Sequence, residues 1–246
     1  LAEQVANKLN SLDHLDEQIA ALEKELHTVG AELRRKAEAL SQERLRVAEQ
    51  LTAAMQAELA SLSFRQALFR VSITNRDFTD ASASSTASAA SATGCDTVSF
   101  LFSANPGEPP KPLSEVVSGG ELSRLMLAMK CLLARRDKVD TVIFDEIDAG
   151  IGGEAAEAVA RKIDELAGHH QVFCITHLPQ IAAYADAHFL VEKQVDADRT
   201  FTMIRVLSYD ERVHELARML GGDNPSEQTL IFARELVERR LGKMKP

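Results

Sequence analysis

The sequence predicts an α/β fold in which a mostly parallel sheet with flanking helices follows one long helix. From about residue 117 onward, helix-like and strand-like segments alternate, and the strand-like segments are nearly continuous apolar runs. This pattern is typical of a parallel sheet covered by helices. Before it, residues 1–62 contain no Pro and a single Gly, and they are rich in strong helix formers. The 246 residues, 45% of them apolar, suffice for one large domain or for a medium domain with an extension.

Residues 1–62 are predicted to form the helix of a coiled-coil arm. A helix of this length would extend on the order of 90 Å, which is too long to lie across a domain of ordinary size. Steps of four and three separate the apolar residues along part of it, namely Leu15, Ile19, Leu22, Leu26, Val29 and Leu33. That spacing is typical of the seam of a coiled coil. A surface helix on a bundle is the alternative, but a helix this long is expected to project and to need a partner helix.

Residues 63–246 are predicted to form the domain that contains the sheet. Strand-like runs at 69–74 and 97–102 should pair as a hairpin. The stretch between them, about 80–95, is rich in Ser, Ala and Thr and is predicted to be a flexible loop. The elements that follow should be a helix, a strand, a helix, a strand, a short helix, two strands and two helices, at 121–134, 141–144, 154–167, 172–176, from 179, 188–193, 201–207, 211–220 and 226–241.

Composition and charge narrow the classes of function. The net charge of −9 argues against a protein whose whole surface binds nucleic acid, but it leaves room for local basic patches at 34–36, 135–136 and 239–243. The three cysteines lie far apart in the sequence and are predicted to be reduced thiols of a cytoplasmic protein, not a disulfide frame or a zinc site. No apolar run approaches the roughly 20 residues that span a bilayer, so no membrane contact is expected.

Two adjacent carboxylates follow the strand predicted at 141–144. Ligands of parallel sheets bind where the strands end, so Asp145 and Glu146 should emerge at the ligand-binding edge. Asp145 is suited to accept a water of hydrated Mg²⁺, and Glu146 to orient or deprotonate a water that attacks a γ-phosphate. The simpler interpretation is a strand that enters an acidic turn, and these two residues alone do not exclude it.

Two further segments could meet a phosphate. Ser118, Gly119, Gly120 and Glu121 stand at the start of a predicted helix, where the absence of Cβ atoms and the helix dipole favour an anion. A Ser followed three residues later by Glu is also the pattern of a capping box, which begins helices without any ligand. His177 follows the strand predicted at 172–176 and could donate a hydrogen bond to a terminal phosphate, or could simply lie in a polar turn.

In order and spacing, these motifs together resemble the C-terminal lobe of the ATPase head of ABC-type and SMC-type proteins. More narrowly, the segments 117–124, 144–153, 176–181 and 216–222 resemble those of the RecN family of bacterial SMC-like DNA repair ATPases. The resemblance covers about residues 104–241, and the preceding helical arm is consistent with it. Two positions depart from the family pattern. Val117 replaces the usual Leu before Ser-Gly-Gly, and Gly152 stands where many relatives have an acidic residue.

The resemblance implies a role for each motif. Ser118, Gly119 and Gly120, with Glu121, would form the signature motif, which contacts ATP bound to the opposite subunit of a homodimer. The resemblance also implies that Asp145 belongs to the magnesium site and that Glu146 is the catalytic base. It places Asp148 in the loop that faces the dimer partner and makes His177 the switch at the γ-phosphate.

One part of a complete ATP site is missing from this sequence. A phosphate-binding loop of the form G-x-x-x-x-G-K-[ST] is expected before these motifs, yet the single Gly-Lys pair, Gly242-Lys243, is followed by Met244. In the family that loop lies in an N-terminal lobe. The chain is therefore expected to be the second half of a protein, to need that lobe as a partner, and to be inactive alone.

The function expected from these observations is that of an SMC-like ATPase of DNA double-strand break repair and recombination. It would use ATP and Mg²⁺, dimerise through its heads, and bind DNA weakly and without base preference. The alternatives are another SMC-like chromosome protein, an ABC transporter-type ATPase subunit, or a non-enzymatic coiled-coil scaffold. The long helix argues against the transporter subunit, and the joint presence of Asp145, Glu146 and His177 argues against the scaffold.

Overall fold

A computed structural model describes residues 2–64, 66–75, 90–105, 107–116, 118–196 and 199–242. The chain divides into two compact units. The first unit comprises Leu1–Ala53 and Phe69–Leu101, and the second comprises Ala54–Leu68 and Phe102–Pro246. The predicted α/β class is confirmed, and the residues with predicted chemistry all belong to the second unit.

The predicted long helix is present as α1, Ala2–Ser61. Apolar side chains of the predicted seam are 50 to 64% exposed, namely Leu15, Ile19, Leu22, Leu26 and Val29. Their pairing with a second helix stays a prediction. The last turns of α1 belong to the second unit, where Met55, Leu59 and Leu62 are at most 1% exposed. Because these three residues recur at steps of four and three, one face of the helix end is buried in the core of that unit.

The two predicted strands at 69–74 and 97–102 are present as β1, Leu68–Asn75, and β2, Asp96–Ser103. They are neighbours in a sheet of order β1-β2-β3, where β3 is Lys111–Pro112, so their predicted pairing is confirmed. Within the first unit, Ser41 and Arg44 of α1 donate hydrogen bonds to the Asp96 carboxylate at 2.6 and 2.8 Å. Most of the predicted flexible loop at about 80–95, and Val117, lie outside the described residues.

The alternation predicted after residue 117 is confirmed in the second unit. Strands β4 and β5 pair in parallel, with Thr141 opposite Gln171 and Phe144 opposite Cys174. Helices α2 and α3 begin two residues and one residue earlier than the pattern predicted, and α4 begins at 179 as predicted. The elements in this part of the chain are α2, β4, α3, β5 and the short α4, at Gly119–Leu133, Thr141–Phe144, Gly153–Ala167, Gln171–Cys174 and Pro179–Ala182.

One face of the parallel pair is uncovered. Val142 and Phe144 of β4 are buried, whereas Ile143 between them is 67% exposed. Its partner in the register, Phe173 of β5, is 44% exposed. Because side chains alternate along a strand, these two lie on the same face of the pair. Parallel strands are normally covered on both faces, but the described part of this chain leaves the face with Ile143 and Phe173 exposed to solvent.

The remaining strands form a separate antiparallel ribbon. β6, Phe189–Asp196, pairs with β7, Arg199–Val206, so the parallel part of the described fold is the β4–β5 pair. Helices α5, Tyr209–Gly221, and α6, Glu227–Gly242, follow as predicted. They pack around a buried cluster of Ala182, Ala183, Val213, Leu216, Ala217, Ala233 and Val237. In the described part of the chain, no helix combines the length and the apolar character needed to cross a membrane.

Candidate functional site

The predicted site residues meet at the C-terminal ends of β4 and β5. Asp145 and Glu146 follow β4, and Thr176 and His177 follow β5 shortly after its last residue. The ladder continues to this edge, where the Ile175 amide donates to the Phe144 carbonyl at 3.0 Å. Because parallel strands end at the same edge of a sheet, residues about 30 positions apart in sequence become neighbours here. The two motifs, each predicted at the end of a strand, therefore lie together in the structure.

The third motif forms the start of α2. Ser118 is the N-cap, and its Oγ accepts a hydrogen bond from the Glu121 amide at 3.4 Å. Of the capping box considered from the sequence, the bond to the Ser118 side chain is therefore present. It does not compete with anion binding, because a helix start offers four N–H groups without helical partners and the cap uses one of them.

Gly119 and Gly120 allow α2 to begin in contact with the loop after β4. A Cβ atom at Gly120 would lie 2.9 Å from the Ala149 Cβ and 3.0 Å from its carbonyl oxygen, and one at Gly119 would lie 2.5 Å from Glu146 Oε2. At Gly120 the obstacle is backbone, which cannot move aside as the tip of a Glu side chain can. The structure thus adds a packing reason for the glycine pair that the sequence did not reveal.

The loop after β4 holds Glu146 in an uncommon backbone conformation. Its φ is 56°, in the left-handed region that residues with a Cβ rarely adopt. Asp145 Oδ1 accepts from the Glu146 amide at 2.9 Å, and the Glu146 carbonyl accepts from the Ala149 amide at 3.1 Å. Ser123 of α2 donates to the Asp145 carbonyl at 2.9 Å. These bonds hold a strained turn at the position where both carboxylates are exposed.

Arg124 is a residue of this site for which the sequence predicted no role. It is 6% exposed, and its Nη1 donates to the carbonyls of Ile147 and Ala149 at 3.2 and 2.8 Å. Burial lowers the pKa of the guanidinium, although the nearby Glu121 opposes this effect. The signal in the sequence was an Arg four residues after Gly120, which is the spacing of the face that α2 buries.

Asp148 is tied to His177 within the same chain. The carboxyl is 4% exposed, and its Oδ2 accepts from Thr176 Oγ1 at 2.6 Å and from the His177 amide at 2.8 Å. His177 Nδ1 lies 2.9 Å from the same oxygen, whereas the His177 side chain is 75% exposed. Burial alone would raise the pKa of Asp148, but the hydrogen bonds from Thr176 and His177 outweigh it and hold the pKa below its usual value.

This arrangement assigns a hydrogen-bonding state to His177. With Nδ1 2.9 Å from a carboxylate oxygen, Nδ1 carries a proton and Nε2 is the nitrogen left to meet a ligand, which can be a phosphate oxygen only when Nε2 carries a proton as well. The resemblance placed Asp148 in a loop that faces a second subunit. Its side chain is turned into its own chain, so its carboxylate organises His177. That the loop as a whole faces a second subunit stays a prediction.

The donor set fits magnesium held together with a phosphate. Within the described ranges, no group of three or more His, Cys, Asp and Glu side chains could hold a metal ion. Mg²⁺ commonly takes one or two carboxylates together with substrate phosphate oxygens and waters. The exposed carboxylate of Asp145 is suited to that limited role.

Burial raises the pKa of the thiols of Cys131 and Cys174 to about 12, so thiolate chemistry is not expected at either residue.

The predicted basic patches differ in what they leave exposed. Arg240 is 8% exposed and pairs with Asp164 and Asp186 at 2.9 and 2.8 Å. Arg240 is therefore not part of an exposed basic patch, and the prediction for 239–243 is wrong at this residue. Lys36 pairs with Glu32 at 2.9 Å along α1. In contrast, 135–136 is a pair of exposed arginines just after α2.

Asp148→Asn should lower the stability of the chain mainly above about pH 4. Because the folded pKa lies below the unfolded one, the carboxylate stabilises the fold above the unfolded pKa, and this stabilisation is lost as the pH falls through the folded pKa. We expect a loss of about 1–3 kcal/mol in the free energy of unfolding near neutral pH, shrinking at low pH. Urea unfolding across this pH range measures it.

The control for this measurement is Asp223→Asn, at a carboxylate whose side chain is 90% exposed. It should show no pH-dependent difference from the unsubstituted chain. Equal stability of the Asp148→Asn variant and the unsubstituted chain at neutral pH would contradict the assignment of Asp148 as a buried, ionised anchor.

Similar proteins are known under the name DNA repair protein RecN. The protein from Halalkalibacterium halodurans is 38% identical over 242 residues, which are 96% of this chain and 41% of that protein. The protein from Treponema pallidum is 44% identical over 217 residues, 88% of this chain and 37% of that protein. The one from Deinococcus radiodurans is 42% identical over 234 residues, 95% of this chain and 39% of that protein. The chain thus spans about two fifths of the length of these relatives.

Solved SMC head domains also resemble the chain. One from Pyrococcus yayanosii, with a coiled coil and joint, matches with a TM-score of 0.48 and 20% identity over 72% of this chain and 30% of that one. One from Pyrococcus furiosus, with an extended coiled coil and bound to the C-terminal domain of ScpA, matches with a TM-score of 0.45 and 18% identity over 89% and 56%. No protein-family profile matches the chain.

Proposed function

We propose that this chain, a RecN-type sequence as its motifs predicted, forms the C-terminal lobe of an SMC-like ATPase head that acts in DNA double-strand break repair and recombination. One observation carries the proposal. The start of α2, the Asp145–Glu146 pair and His177 are all fixed around the single loop that follows β4. A helix start, two carboxylates and an imidazole are among the groups that a site for hydrolysis of a nucleoside triphosphate uses, although the phosphate-binding loop must come from elsewhere.

In this proposal the exposed side chains do the chemistry and the buried ones hold them. Glu146 deprotonates or orients the attacking water, and its exposed carboxylate lies beside Gly119 at the start of α2. As the imidazolium, His177 would donate from Nε2–H to the terminal phosphate while Nδ1 faces Asp148. Asp145 would hold Mg²⁺, which neutralises the charge that develops on the phosphates when it is bound with ATP.

The second part of the proposal is that the N-terminal lobe of the same protein completes the head. It would bring the phosphate-binding loop that this sequence lacks, and it would cover the face of β4 and β5 on which Ile143, Phe173 and Ile175 are 67%, 44% and 60% exposed. An apolar face of a parallel pair is rarely left in water. The chain on its own should therefore not hydrolyse ATP.

The third part concerns dimerisation. Ser118 and Gly119 are exposed at the start of α2, whereas Gly120 is buried against the loop. The exposed end would contact ATP held by a second copy of the head, so each nucleotide would be enclosed by two subunits. Because the triphosphate supplies negative charge that both surfaces satisfy, its hydrolysis would remove the bridging contacts and release the homodimer.

In the complete protein, Glu146→Gln should stop turnover and trap ATP-bound dimers. Removal of a general base costs on the order of 10²- to 10⁴-fold in kcat, while the amide keeps the shape of the side chain. Phosphate release measures the first effect and light scattering with ATP measures the second. Glu227→Gln, at an exposed carboxylate in the first turn of α6, is the matched control. Normal hydrolysis by the Glu146→Gln variant would remove Glu146 from the role of base.

Ser118→Arg should abolish ATP-driven dimerisation and leave ATP binding to a single head nearly unchanged, because the long side chain would occupy the place of the partner's nucleotide. Ser208→Arg is the matched control, since Ser208 is the exposed N-cap of α5 and its loss removes a cap of the same kind. Sedimentation with and without ATP distinguishes the two. Unchanged dimerisation of the Ser118→Arg variant would refute the contact across subunits.

DNA contact is proposed to be weak, independent of sequence and confined to local patches of a cytoplasmic, nucleoid-associated protein. The net charge of −9 opposes an extended DNA-binding surface. Of the basic runs, 135–136 is exposed at the end of α2, which begins at the signature motif. A contact to phosphates at this position would lie just beyond the C-terminal end of the helix that Ser118 caps.

The double variant Arg135→Ala, Arg136→Ala should weaken DNA binding by the complete protein about equally for all sequences, and should reduce the slope of log affinity against log salt by about 2. Fluorescence anisotropy at several salt concentrations measures both. The control is Arg161→Ala, Arg205→Ala, at two arginines already paired with glutamates. Binding that is insensitive to salt, or equal loss in both double variants, would contradict the proposal.

A further inference from the structure

We propose that Arg124 is a positioning residue that holds the loop 145–151 in its reactive shape and ties it to Phe64 at the end of α1. The inference rests on the proposed function only in that it takes this loop as the reactive one. It concerns a buried cation that the proposed chemistry does not use, and it connects two elements of the second unit, the end of α1 and the loop after β4.

The first observation is the environment of the guanidinium. Arg124 is 6% exposed and stands on the buried face of α2, among residues such as Leu125, Leu127 and Ala128 that are fully buried. Taking a cation out of water is costly unless donors and charge are satisfied. Both hydrogen bonds recorded for this side chain go to main-chain carbonyls of the loop, those of Ile147 and Ala149.

The second observation is what those carbonyls belong to. Ile147 and Ala149 flank Asp148, which anchors His177, and Ile147 directly follows Glu146. Within the loop, the amides of Ala149 and Ile151 bond back to the carbonyls of Glu146 and Asp148 at 3.1 and 3.3 Å. A single nitrogen atom that holds both carbonyls therefore fixes the spacing of a turn that carries the base and the histidine anchor.

The third observation is the aromatic ring on the other side. The guanidinium carbon lies 5.1 Å from the centroid of the Phe64 ring, within the range of a cation–π contact. Phe64 is attached to the last turn of α1, because its amide donates to the Leu59 carbonyl at 3.0 Å. Its ring also meets Phe102 edge-on, with 5.8 Å between the centroids. A shift of the end of α1 would move this ring, and with it the cation that holds the loop.

The test compares four substitutions in the complete protein, the fourth being Arg124→Lys. Arg124→Met keeps most of the apolar volume and removes the donors and the charge, and Phe64→Leu removes the aromatic face alone. Lys162→Met is the control, because Lys162 is another mostly buried cation bonded to the end of α1, through Glu58 at 2.8 Å, and it touches no carbonyl of the loop. Hydrogen exchange without nucleotide and steady-state ATP hydrolysis are measured for each.

Arg124→Met should make the amides of Ala149 and Ile151 exchange at least about tenfold faster, and should lower kcat at least about tenfold with KM for ATP within about twofold. Phe64→Leu should change both in the same direction by about threefold. Lys162→Met should leave loop exchange unchanged, and Arg124→Lys, which keeps a donor and the charge, should recover part of the protection.

Two results would overturn the inference. One is loop exchange in the Arg124→Met variant equal to that of the unsubstituted protein. The other is an increase spread evenly over all buried amides, or equally large in Lys162→Met, because either would reduce Arg124 to a general contributor to stability. A failure of the proposed function can be distinguished from these results. If the unsubstituted protein does not hydrolyse ATP, the proposed function is wrong, and the hydrogen-exchange comparison still tests the role of Arg124.

Discussion

The loop between β4 and α3 keeps its shape only while its main-chain groups are satisfied by partners outside it. Buried carbonyls without donors cost about 1–3 kcal/mol each, and a residue with a Cβ in the left-handed region adds to that cost. Arg124 supplies donors to the carbonyls of Ile147 and Ala149, and Ser123 supplies one to the more exposed carbonyl of Asp145. In the proposal for Arg124, the directions of Glu146 and Asp148 depend on these bonds from one helix.

The same helix begins with the glycines, and this joins two functions that the sequence alone treats as alternatives. A cap by Ser118 fixes where α2 starts, and the absence of a side chain at Gly120 lets that start touch Ala149. A larger residue at Gly120 would separate α2 from the loop. Because Arg124 lies one helical turn after Gly120, its guanidinium would then move away from the loop carbonyls to which it donates. The capping role, the packing role and the proposed contact to a phosphate therefore support one another in a single helix end.

The order of elements and the meeting of the motifs could be predicted because they follow from local pattern. The apolar run at 141–144 and its counterpart at 171–174 differ little from the predicted strands, and parallel pairing then forces Asp145 and His177 to one edge. The roles of Arg124, Asp148 and Arg240 could not be predicted in this way. Each depends on partners between 23 and 76 residues distant in the sequence, whose approach is decided by packing. A charged residue in a basic run looks exposed until its carboxylate partners are known.

In the proposed function, the groups that would react are separate from the groups that hold them. Asp145, Glu146 and His177 have exposed side chains, whereas Asp148 and Arg124 are almost fully buried. In water, an exposed carboxylate or imidazole has weak electrostatic influence on a bound phosphate, and the same groups become far stronger when a second surface excludes the solvent. In this chain the anchoring residues are already buried and the proposed reactive residues still face water. The proposal therefore expects the site to become active when a second protein surface covers it and excludes the solvent.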